Sequence, residues 1–85
     1  MNTPNLELYY FPSCPFCQIV LRTVNNLKLD VKLTNIHENT HARDKLFKDT
    51  QRYTVPCLYI DESPMHESYD IILWLEKNQD KLKKI

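Results

Sequence analysis

Eighty-five residues with eleven basic and eleven acidic side chains, 26% charged and 42% hydrophobic, fit one folded domain spanning 1–85 and exclude a disordered chain. The balanced charge also excludes a basic face for nucleic acid, whose phosphates are held mainly by clustered Lys and Arg. No run approaches the ~18 apolar residues of a membrane span, and Met1–Asn5 lacks the basic and apolar segments of a secretory signal. The expectation is therefore a cytoplasmic monomer with no membrane and no nucleic-acid partner.

Leu6–Tyr10 is a short apolar and aromatic run suited to a strand, broken by Pro12 and Ser13. Cys17, Val20, Leu21, Val24 and Leu27 then recur at helical spacing, with Pro15 at the first turn, where its missing N–H costs nothing. A second strand is expected over Asp30–Asn35, where Val31 and Leu33 alternate with polar residues. Asn39 and Thr40 offer an N-cap for a polar helix reaching about Gln51, with Ala42 and Leu46 facing inward. Cys57–Ile60 reads as a third strand, Asp61–Ser63 as a turn, and Pro64–His66 as a short fourth strand. Ser68 is positioned to cap a last helix that turns Ile71, Ile72, Leu75 and Leu82 inward; Lys81, Lys83 and Lys84 oppose the negative end of its dipole.

The order β-α-β-α-β-β-α predicts an α/β protein with parallel leading strands, a closing hairpin, and a four-stranded mixed sheet flanked by three helices. It is the element order of the thioredoxin fold. The chain has no glycine, so positive backbone φ angles are expected on Asn or Asp near the breaks: Asn25-Asn26, Asp30, Asn35, Asn39 and Asp61-Glu62.

Two of the three cysteines form Cys14-Pro15-Phe16-Cys17. In a reducing compartment such a pair points to redox chemistry or a metal site rather than a structural bridge. The strand-to-helix context favours redox chemistry: unpaired N–H groups and the positive dipole end at a helix start stabilise a thiolate on Cys14. Cys17 lies one turn deeper, placed to attack a mixed disulfide formed on Cys14. Val55-Pro56 precedes the third strand, and a cis bond there would present the Val55 backbone to an incoming thiol substrate.

Cys-Pro-Phe-Cys, then Thr54-Val55-Pro56, then an acidic-polar pair before the last helix, resembles the glutaredoxin family from Leu6 to about Leu75. The Glu67-Ser68 pair followed by Asp70–Leu75 is more similar to the N-terminal domain of glutathione transferases and to the glutaredoxins that resemble them. The resemblance implies a thioredoxin-like (glutaredoxin) fold and a dithiol oxidoreductase. Cys14 would be its nucleophile, Cys17 its resolving thiol, and glutathione its co-substrate, with no tightly bound cofactor and no metal. Phe16, Thr54, Val55, Pro56, Glu67 and Ser68 would contact glutathione, with Val55 as backbone clamp and Glu67-Ser68 on the γ-glutamyl end. A carboxylate suits an ammonium and a helix N-terminus suits a carboxylate. The partners implied are glutathione and disulfide or glutathionylated proteins.

Two departures from that pattern stand out. Phe11 occupies the place, three residues before Cys14, where glutaredoxins usually carry Lys or Arg; Arg43, which aligns with a position that often supplies a cation or amide to the glycine carboxylate of glutathione, would compensate as a further glutathione contact. His66-Glu67 replaces the usual Gly-Gly, which points to the transferase-like branch. Tyr9, Tyr10, Phe11 and Trp74 read most simply as packing residues, Phe16 as exposed, and Cys57 as a small buried strand residue. His37, His41 and His66 have no metal-finger spacing. Three rivals remain: an electron carrier served by thioredoxin reductase, a metal or iron–sulfur module, and a transferase fragment or non-catalytic binding domain; transferase activity proper is not expected of these 85 residues, which do not include the helical second domain that supplies the electrophile pocket.

Overall fold

Four strands and three helices follow one another as expected in a computed structural model that describes residues 3–85. They are β1 (Leu6–Tyr10), α1 (Pro15–Asn26), β2 (Lys32–Asn35), α2 (Thr40–Thr50), β3 (Cys57–Ile60), β4 (Ser63–His66) and α3 (Ser68–Asn78), closed by a 3₁₀ turn at Gln79–Lys81. The sheet order is β2-β1-β3-β4. β1 runs parallel to β2, with Leu8 opposite Leu33, and antiparallel to β3, with Leu8 opposite Leu58. β4 completes the hairpin, with Leu58 opposite Met65 and Cys57 opposite His66.

Side chains alternate across a strand, so one central pair builds two cores. Leu6, Leu8 and Leu58 meet Val20 and Val24 of α1 and Ile71 and Leu75 of α3 on one face. Tyr9, Cys57 and Tyr59 meet Ala42 and Leu46 of α2 on the other. Trp74 and Tyr10 pack at the margin of the first core, and Phe11 at the margin of the second.

The ends of the elements depart from expectation in four places. β2 begins at Lys32 rather than Asp30, because the C-terminal tail takes the preceding residues: Asp30 N–H donates to Lys83 O at 2.9 Å, and Leu29 bridges Lys84. β4 begins at Ser63, which shortens the hairpin turn to Asp61-Glu62; Asp61 holds it by accepting the Asn5 N–H at 2.9 Å. α3 ends at Asn78, so Leu82 belongs to no helix, yet it remains buried in the first core. Glu67, not Ser68, is the N-cap of α3, and it makes no side-chain capping bond.

Positive φ falls on Lys28, Gln51, Asp61 and Glu67. Only Asp61 is among the Asn and Asp positions foreseen. Lys28 and Gln51 are explained by how helices stop. After α1, the N–H groups of Lys28 and Leu29 donate to Asn25 O and Val24 O, a Schellman closure that requires a left-handed residue at Lys28. Gln51 ends α2 in the same left-handed region, its N–H on Phe47 O at 2.7 Å. Helix termination sets the backbone there, whatever residue occupies the place.

Candidate active site

α1 starts at Cys14, which stands in extended conformation and acts as the N-cap. Its Sγ takes the place an Asp or Ser oxygen usually fills, accepting the Cys17 N–H at 3.2 Å. Pro15 fits the first helical position because it has no N–H to satisfy. The same Sγ lies 3.8 Å from the Val55 carbonyl oxygen across the groove. Cys14 Sγ is thus held at the start of α1 between one backbone N–H donor and one backbone carbonyl acceptor.

Cys17 lies deeper than Cys14, which is itself buried at 6% exposure. Cys17 is wholly buried, and burial, with its hydrogen bond to Cys14 adding to the effect, pushes its thiol up to about 12. At neutral pH it is protonated. All three cysteines are free. Cys57, as expected for a small strand residue, is buried in the second core, and burial pushes its thiol to about 12 as well.

The Val55-Pro56 bond is cis. It lies in the irregular connection from α2 to β3, where the Thr54 carbonyl is held by His66 Nε2 at 3.1 Å. Beside it opens a cleft of about 220 Å³ lined by Phe16, Thr54, Val55, Pro56, His66, Glu67, Ser68 and Tyr69. Six of these eight, all but His66 and Tyr69, are the residues the sequence assigned to a glutathione site. Phe16 is 63% exposed, as its position between the cysteines implied, and Tyr69 is 77% exposed on the far rim.

Glu67 adopts φ 75° and ψ 112°. This region is costly for a residue with a Cβ, of order 1–3 kcal/mol, and such residues gather at functional sites. Because Glu67 spends no side-chain bond on capping, the first N–H groups of α3 stay open at the end of the cleft, suited to a carboxylate. Ser68, the first residue of α3, is buried.

Arg43 is placed elsewhere. Its guanidinium lies 4.4 Å from the centre of the Tyr53 ring, which in turn stacks on Phe47, and it does not line the cleft. Phe11 stacks on His37 at 4.4 Å, an aromatic pair where a cation would otherwise stand. The cleft residues that sequence reasoning missed are His66 and Tyr69, and His66 is the one that left a signal. Its signal was the hairpin register, which sets it opposite Cys57 and at the mouth of the cleft. Among the described residues no cluster of His, Cys, Asp and Glu is arranged to hold a metal ion. None of the described helices is long and apolar enough to cross a membrane.

The fold and this placement have relatives. A solved epsilon-class glutathione S-transferase from the housefly, Musca domestica, is similar at 26% identity and a TM-score of 0.74, over 91% of this chain and 36% of that one. A glutathione transferase from Bombyx mori matches at 29% identity and a TM-score of 0.72, over 89% of this chain and 37% of that one. The thioredoxin-like protein BC3987 matches at 26% identity and a TM-score of 0.70, over 92% of this chain and the whole, 100%, of that one. The chain thus spans about a third of the length of these transferases and adopts the thioredoxin-like fold. A family model described as the glutathione S-transferase N-terminal domain matches residues 8–82, and the chain belongs to that family.

Proposed function

We propose that this chain is a glutathione-dependent thiol–disulfide oxidoreductase of the dithiol glutaredoxin type, acting on glutathionylated proteins and small disulfides. The observation that carries the reading is the asymmetry of the two thiols. Cys14 Sγ accepts a helix-start N–H at 3.2 Å and faces the Val55 carbonyl, while the Cys17 thiol is buried and pushed up to about 12. One sulfur is poised to attack first and the other is held in reserve.

In the first step the Cys14 thiolate attacks the glutathionyl sulfur of a mixed disulfide. The Cys14–glutathione bond forms and the protein thiolate leaves, taking a proton from water. With Cys14 tied up as a disulfide, its bond to Cys17 and its negative charge no longer oppose ionisation there. Resolution follows either of two routes. A second glutathione thiolate attacks the bound glutathionyl sulfur, releasing oxidised glutathione and restoring Cys14. Alternatively, Cys17 attacks Cys14 Sγ, expels glutathione and leaves a Cys14–Cys17 disulfide for two further glutathiones to reduce. Glu67, the open α3 N-terminus and the Thr54–Pro56 backbone would hold glutathione, with the carboxylate facing its amine.

Replacing each cysteine separately tests the scheme with a glutathionylated peptide as substrate and glutathione as reductant. Cys14→Ser is expected to lose turnover, and Cys17→Ser to keep a substantial fraction through the glutathione route. Equal loss in both variants contradicts it. A second reading is favoured by two observations: Phe11 stands where a cation would be, and a thioredoxin-like protein is matched over its whole length. In that reading thioredoxin reductase, not glutathione, supplies the electrons. Omitting each reductant in turn separates the two.

A further inference from the structure

The Arg52–Pro56 connection faces Cys14 but belongs to neither α2 nor β3, and its carbonyl at Thr54 is tied to the sheet by a single side chain. That side chain is His66, on the edge strand β4. Its two nitrogens have different partners. Nε2 is 3.1 Å from the Thr54 carbonyl oxygen, and Nδ1 is 3.2 Å from Arg52 Nη2. A carbonyl only accepts and a guanidinium only donates. The ring must therefore be neutral, with its proton on Nε2 and its lone pair on Nδ1.

We propose that His66 is a positioning residue that, while neutral, pins both Arg52 and Thr54 to β4, so that glutathione binding weakens when a proton on Nδ1 releases the Arg52 end of the connection beside Cys14. The inference builds on the proposed glutathione site. Protonation turns Nδ1 into a donor aimed at another donor, and the Arg52 contact must break. The connection then keeps one of its two ties to β4, next to the Val55 carbonyl that sits 3.8 Å from Cys14 Sγ.

The groups around the ring set the balance. Partial burial and the positive Arg52 guanidinium disfavour the charged ring, whereas the Thr54 carbonyl and Glu67 carboxylate favour it, and the net direction is downward from the usual histidine value. The facing residue on β3 is Cys57, whose buried thiol carries no charge at neutral pH. Both ties are thus made at neutral pH, and on the acid side the Arg52 tie is lost while the Thr54 tie is kept. Glutamine is the informative replacement, since its amide offers one donor and one acceptor and has no titration in this range.

Two measurements on the full chain test this. Binding of S-methylglutathione, which cannot exchange, is measured by calorimetry from pH 8 to pH 5 on wild type, His66→Gln and His66→Phe. Wild type is expected to weaken about five- to tenfold on the acid side. His66→Gln should stay flat and near the neutral wild-type value, and His66→Phe should be weak throughout. A wild-type acid limb that persists in His66→Gln overturns the proposal. Long-range ¹⁵N–¹H correlation on wild type should show the Nε2–H form at pH 7.5, and the Thr54 and Val55 amide shifts should follow the ring's titration. An Nδ1–H form, or amides indifferent to that titration, overturns it too. Absence of any S-methylglutathione binding at neutral pH would sink the glutathione reading, while the spectroscopic arm would still decide the role of His66.

Discussion

Cys14 and Cys17 are one helical turn apart and both buried, yet they are held differently. One sulfur caps α1 and the other is sealed beneath it. The pairing was legible in the sequence because Cys-x-x-Cys after a strand leaves few places for the first sulfur other than the helix start. Glu67 was legible as a residue type but not as a backbone, since nothing local in His66-Glu67-Ser68 demands φ 75°. That angle follows from β4 meeting α3 at the cleft. It also yields a test that separates binding from stability. Glu67→Ala should raise KM for glutathione about tenfold or more, the scale of a lost charge-assisted hydrogen bond, without relieving the backbone. Glu67→Gly should raise KM similarly yet melt at or above the wild-type temperature, because glycine tolerates this φ. A glycine variant that melts clearly below wild type would show that Glu67 is not strained.

α2 is the least apolar of the helices, turning only Ala42 and Leu46 fully inward, and a polar link adds to its hold on the sheet. Asp49 accepts both the Lys45 ammonium and the Tyr59 hydroxyl at 2.9 Å, and Lys45 also reaches Glu62 at 3.2 Å while lying over the Tyr59 ring. Lys45 and Asp49 face each other because they stand four residues apart on the helix. The tie to Tyr59 was not legible in the sequence, because it depends on which face of β3 meets α2. Lys45 first, then Tyr59, holds the Asp49 carboxyl below its ordinary value of 3.8. A depressed carboxyl contributes stability that is fully present above its unfolded value and lost as pH falls through the folded one. Tyr59→Phe should therefore cost about 0.5–1.5 kcal/mol in urea unfolding at pH 7. The cost should shrink in a second measurement made far enough below pH 3.8 for Asp49 to take its proton. An equal cost at both pH values would assign the loss to packing alone.

Across the whole molecule, the apolar runs Leu6–Tyr10 and Cys57–Ile60 and three helices for one sheet made a sheet covered on both faces legible before any coordinate, and Leu8 and Leu58 on one face with Tyr9, Cys57 and Tyr59 on the other bear it out. The element order then left the thioredoxin-like arrangement as its simplest closure. What stayed hidden were the joints: the tail's hold on Leu29 and Asp30, the 3₁₀ turn before Leu82, and the left-handed residues that end α1 and α2. They depend on how chain ends meet, which no local pattern encodes. The left-handed joints have a practical consequence. With no glycine anywhere, both helix ends are closed by residues whose Cβ resists the conformation, at roughly 1–2 kcal/mol each. Lys28→Gly and Gln51→Gly should each raise the melting temperature by roughly 4–8 °C per kcal/mol recovered in a domain of this size. The two gains should add, since the sites close different helices; a drop in either variant would contradict the argument. The protein is held below the thermal ceiling of its own fold by the one amino acid it does not use.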